Sequence, residues 1–113
     1  MEVKSLIDQW MKEEETLAHL FKQRENYKAL PLMEHYTKKC KQAICLINDF
    51  EYETEANFQQ MLPHFAYKPF NVEERLAFIT HAPSHYHSFI QLKELFRESA
   101  KLHAKVSIIK KRG

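Results

Sequence analysis

One glycine, at the final position, and four prolines placed where periodic segments meet constrain this chain of 113 residues more than any other feature. Glycine is the default wherever the backbone must turn left-handed, so a chain without internal glycine carries the punctuation of a helical protein. At this length the expectation is one domain over residues 1–113, able to bury roughly two thirds of its unfolded surface and to fold without a metal or disulfide staple. No stretch approaches the roughly 20 continuous apolar residues needed to cross a bilayer. The start, Met1-Glu2-Val3-Lys4, runs into an amphipathic pattern without the apolar core of a secretory signal, so a cytoplasmic location is expected. Cys40 and Cys45 read as free thiols, because a helix would separate them by about 7.5 Å along its axis and aim them to different sides.

Hydrophobic spacing predicts helices near residues 3–22, 32–47, 72–80 and 84–106, with a short one near 55–62: a compact antiparallel all-α bundle of about four helices plus one short helix. In the first, Val3, Leu6, Ile7, Trp10, Met11, Leu17, Ala18 and Phe21 share one side. Glu14 falls inside that stripe, either as a long side chain lying along the core's edge or as a buried carboxylate. Pro31 is expected at the first position of the second helix, whose stripe carries Cys40; Lys38, Lys41 and Cys45 project away from that stripe. Thr54 is placed to cap the short helix, and Pro63 to end it. Residues 63–70 form an aromatic loop expected to pack down. Asn71 with Glu74 spells a capping box, Pro83 interrupts, and Ser84 is expected to cap the last helix.

That last helix is apolar around far more than half of its circumference, leaving a narrow polar strip of His87, Gln91, Glu94, Glu98, Lys101 and Lys105. Either it is central or another molecule covers part of it. Charge is uneven as well: residues 1–62 hold eight Lys and Arg against eleven Asp and Glu, while residues 63–113 hold nine against four. The end from about residue 101 is purely basic.

Candidate chemistry is sparse. His81, His85 and His87 form the one histidine cluster, but Pro83 breaks the helix between the first two and His87 projects elsewhere, so no metal site is expected. No Glu-x-x-His segment of a di-iron bundle and no glycine-rich phosphate loop occurs. Cys40 lies in an apolar stripe, and Cys45 is read as the more reactive thiol. No enzyme activity and no cofactor is expected. Two surfaces stand out for binding. Tyr67, Tyr86, Ile90 and Val106 are candidate protein-interface residues, with Phe70 and Phe89 assigned to the core. Lys105, Lys110, Lys111 and Arg112 are candidate nucleic-acid contacts, or a solvated helix end, or an attachment to an acidic surface.

The run Asn71-Val72-Glu73-Glu74-Arg75-Leu76-Ala77-Phe78-Ile79, then Pro83 and His85-Tyr86-His87-Ser88-Phe89-Ile90-Gln91-Leu92 with Leu95-Phe96, resembles the YpoC-like family of small Gram-positive bacterial proteins over residues 66–98. The resemblance implies an intracellular helical protein with no assigned activity, whose genes often neighbour those of DNA repair, replication initiation and cell-wall synthesis. It carries no catalytic or ligand-binding role onto any residue of this chain. The reading that follows is a noncatalytic protein-interaction or adaptor module with a protein partner or a second copy of itself; the alternative is a weak nucleic-acid-binding accessory protein acting through the basic end.

Overall fold

The computed structural model describes residues 2–112, in which five α-helices and no strand occur: α1 Val3–Lys22, α2 Asn26–Ile47, α3 Glu55–Met61, α4 Val72–His81 and α5 Tyr86–Arg112. A single 3₁₀ turn, Leu62–His64, continues from α3. The helix α5 packs against α1, α2 and α4, and α1 packs against α2. The helix α2 likewise meets α1, α4 and α5, and the over-wide apolar face of α5 is explained by the three helices that cover it.

Trp10 is the hub. Its ring stacks on Phe96 at 4.7 Å, meets Tyr36 edge-on at 5.6 Å and lies 6.1 Å from Phe89, joining α1, α2 and α5 through one side chain. Phe21 stacks on Phe89 at 5.5 Å, which places Phe89 in the core as expected. Burying large aromatics of this kind stabilises by about 2–3 kcal/mol each. Val3, Leu6, Ile7, Leu17 and Phe21 of α1 are buried with it, whereas Met11 and Ala18, at the margins of the same stripe, are exposed.

Turns are made without glycine. Arg24 (φ 59°) and Asp49 (φ 62°) adopt the left-handed conformation just past α1 and α2. After α1, Glu25 N–H donates to the Leu20 carbonyl and Arg24 N–H to Phe21; after α2, Phe50 N–H donates to Cys45 and Asp49 N–H to Leu46. Both are Schellman closures, satisfying the last carbonyls of each helix at a cost of about 1–2 kcal/mol for the side chain in a left-handed turn.

Several local expectations are corrected. The second helix starts at Asn26, with Pro31 inside it rather than at its first position. Asn26 Nδ2 donates to the Ser84 carbonyl at 2.8 Å, and Ala29 is fully buried, so tertiary contacts anchor a turn that proline would otherwise exclude. The hydrogen bond that Pro31 cannot make falls on the carbonyl of Tyr27, an exposed residue. Asn71 precedes α4 in a left-handed conformation (φ 53°) and its side chain caps nothing, because the capping geometry requires an extended backbone; the capping box with Glu74 does not form. The last helix begins at Tyr86, beyond Ser84, and runs to Arg112 instead of ending near residue 106. Thr54 does cap α3, its hydroxyl accepting from Asn57 N–H at 3.0 Å.

The loop between α3 and α4 is packed down. Asn48 clamps it with both ends of one amide, Oδ1 accepting from Tyr67 N–H at 2.9 Å and Nδ2 donating to the Tyr67 carbonyl at 2.7 Å. Phe65 is buried against the ring of Phe50 at 5.4 Å. Lys41, expected on the solvent side, is buried at 8% exposure beneath α3, with Nζ 2.9 and 3.0 Å from the two oxygens of Glu55 and 5.7 Å from the centre of the Phe58 ring. Burial by itself would raise the Glu55 pKa, but hydrogen bonds from Gln59, Lys41 and Tyr52 outweigh it and hold the carboxyl below its ordinary value.

Candidate functional site

An open groove of about 760 Å³ lies between α4 and α5. One wall is Phe70, Asn71, Glu74, Arg75 and Phe78; the other is His87, Gln91, Glu94 and Glu98 on α5. Successive wall residues on α5 are spaced four, three and four apart, which keeps them on one side of a helix.

Arg75 ties the walls together. Its Nε donates to Gln91 Oε1 at 3.0 Å, Nη1 to Glu98 Oε1 at 2.9 Å and to the Phe70 carbonyl at 3.0 Å, and Nη2 to Glu98 Oε2 at 2.6 Å. The guanidinium fork thus meets the carboxylate with two parallel bonds, a geometry lysine cannot reproduce. The hydrogen bonds to Glu98 raise the Arg75 pKa further against the opposing effect of burial, so the guanidinium keeps its charge.

Phe70 is 81% exposed and Phe78 46%. The assignment of Phe70 to the core is therefore corrected: the left-handed turn at Asn71 leaves the ring outside while its carbonyl serves Arg75. With Glu74 and Glu94 beside them, the two rings make a surface that is apolar and negative at once. Phe70 also lines a second hollow, of about 280 Å³, with Lys68, Glu98, Lys101, Leu102 and Lys105, so the groove continues along α5 past the point where its charge changes sign.

The candidate interface residues do not converge. Tyr67 is half-buried near Asp49 and Lys110. Tyr86, 53% exposed, lies against Phe21 and Phe89, and Ile90 is half-buried against the core. Val106, at 4% exposure, belongs to the core and is unavailable to a partner. Of the basic candidates, Lys105 borders the second hollow, Lys110 Nζ pairs with Asp49 at 2.6 Å, and Lys111 and Arg112 are exposed on the last turn. Lys105 and Arg112, seven positions apart, share one side of the helix, and Lys110 and Lys111 point to others.

His81, His85 and His87 are all exposed, and no group of three potential metal ligands occurs among the described residues. Glu14 is half-buried on a different groove, between α1 and α5 with Trp10, Met11 and Phe96. Cys45, read as the more reactive thiol, is buried; burial pushes it up to about 11 and Cys40 up to about 12, so neither is a thiolate at neutral pH.

Sequence reasoning missed Arg75, Phe70 and Phe78 as surface elements. The signal that could have found them is the polar strip of α5, which is too narrow for a solvated face and reads better as one side of a cleft. No curated relative and no solved structure matches the chain. The family model described as YpoC-like protein matches residues 1–111, far beyond the segment whose motif carries the likeness, and the chain belongs to the YpoC-like family.

Proposed function

We propose that this protein is a noncatalytic interaction module of the cytoplasm, and that its binding face is the groove between α4 and α5. The observation that carries the reading is Phe70, the most exposed large apolar side chain among the described residues, standing beside Phe78 on a wall braced by Arg75 and lined by Glu74 and Glu94. An aromatic held on a rigid frame gives a partner contact area with little loss of freedom. The partner that fits is a protein segment carrying apolar side chains among Lys and Arg. The two buried thiols favour a reducing compartment, and no described helix is long and apolar enough to cross a membrane.

A photoreactive residue at Phe78 in the full chain tests the reading in extract of the cells that make it. Phe70→Ser is expected to reduce specific crosslinking by about tenfold, the cost of losing one aromatic anchor. Equal crosslinking with and without that ring would overturn it.

The nucleic-acid reading is supported by one observation: Lys101, Lys105, Lys111 and Arg112 are exposed and have no carboxylate partner among the described residues. It predicts binding that weakens steeply with salt and on replacing Lys105, Lys110, Lys111 and Arg112 by glutamine. Glu94 and Glu98, next along the same strip, oppose a polyanion there.

A further inference from the structure

We infer that the occupant of the groove is the basic half of α5 from a second copy of this chain, the two α5 helices lying antiparallel across a two-fold axis between Glu98 and Lys101. This rests on the reading of the groove as a binding face and names its partner.

One line of residues runs the length of α5: His87, Gln91, Glu94, Glu98, Lys101, Lys105, Ile108 and Arg112, separated alternately by four and three positions. On a regular helix these stay within an arc of about 100° over roughly 38 Å. The first half of the line is acidic and lies in the groove; the second half is basic and ends in exposed residues, Ile108 among them. Placed antiparallel about its midpoint, the line is complementary to itself: Glu98 faces Lys101 of the other copy, Glu94 faces Lys105, Gln91 faces Ile108 and His87 faces Arg112. A parallel arrangement would set carboxylate against carboxylate, so charge selects the orientation as flanking charges do in coiled coils.

The occupant cannot be the chain's own tail. The helix is continuous to Arg112, and about 27 Å of axial rise separates that residue from Glu94. Phe70 lies beside both Glu98 and Lys101, hence next to the axis, where the two symmetry-related rings would cover one another. Each tail would then enter the partner's groove beside Phe78 and Glu74. A standard interface takes roughly 800 Å² from each partner, about a tenth of the 7241 Å² exposed by this chain, and a helix strip of this length with its flanking walls is of that order. The interface is isologous and closed, so it stops at two copies.

Light scattering of the full chain across a concentration series, at low and moderate salt, reads the outcome as mass. The wild type is expected to be a dimer that weakens with salt. Glu94→Lys and Lys105→Glu are each expected to weaken it by roughly tenfold or more, since either variant sets like charges together at both symmetric sites. Mixing the two variants restores a dimer, because every Glu94–Lys105 contact is then again a pair of opposite charges; Lys105 is exposed, Glu94 is half-buried with its carboxylate on Arg97 at 3.1 Å, and neither belongs to the core. A dimer indifferent to both variants, or variants that do not recover on mixing, would overturn this pairing. A monomeric wild type would overturn it as well, and so would a mass that increases only with short duplex DNA. Crosslinking at Phe78 separates the two levels: a monomer that still crosslinks there to another protein ends the self-pairing but keeps the groove as a binding face, and a monomer that crosslinks to nothing ends both.

Discussion

Replacing Arg75 by methionine keeps the length of the side chain and removes its fork. The guanidinium makes two bonds to Glu98, one to Gln91 and one to the Phe70 carbonyl, with its side chain 19% exposed and that of Glu98 33% exposed. A fully buried ion pair broken at one partner costs about 3–5 kcal/mol, and an exposed one about 0–1. With a third of the Glu98 side chain exposed, Arg75→Met should cost about 2–3 kcal/mol, equivalent to a fall in Tm of roughly 10 °C for a chain of this size. Arg75→Lys should lose about half as much, because it retains the charge without the bidentate geometry. Urea denaturation of Arg75→Met, Glu98→Gln and the double variant completes a cycle. The double variant should be more stable than additivity predicts by about 1.5 kcal/mol, since the second substitution removes a carboxylate the first had stranded. An Arg75→Met protein within about 0.5 kcal/mol of wild type, or a strictly additive cycle, would refute the account of Arg75 as the brace between α4 and α5.

Ser99 is fully buried and its hydroxyl has no hydrogen-bond partner among the described residues; Ser99→Ala should be neutral or stabilising by up to about 1 kcal/mol by urea midpoint, and a loss above that would mean the hydroxyl has a partner. Arg24 pays the left-handed cost at an exposed position, so Arg24→Gly should raise Tm by about 4 °C, and a lower Tm would contradict the Schellman closure of α1. Glu55 has a folded pKa below its ordinary 4.5, so its contribution is present above that value and is lost as pH falls through it toward the lower folded value. Glu55→Gln should therefore be less stable than wild type at pH 7, with the difference shrinking below about pH 4.5; a difference constant from pH 7 to 3 would exclude Lys41, Tyr52 and Gln59 as its cause.

Periodicity made the bundle legible because it follows from local geometry: α1 is found over the residues its apolar spacing marks, Thr54 caps α3, and Pro83 separates α4 from α5. Boundaries that depend on distant contacts were not legible. Asn26 is helical because its amide reaches Ser84, Asn48 matters because Tyr67 comes to it, and Lys41 is tolerated in the interior because Glu55 lies over it. The left-handed turns at Arg24, Asp49 and Asn71 were equally hidden, since no glycine announces them.

For the site, the narrow polar strip of α5 and its change of sign are properties of the sequence alone, because spacing on one helix fixes which residues share a side. By itself the sequence determined an all-helical chain with an amphipathic order of segments. Only the tertiary structure decided that α5 is covered by three other helices, that Val106 is buried and Phe70 is not, and that Arg75 bridges two helices, because each of these depends on which surfaces meet after the chain has turned back on itself.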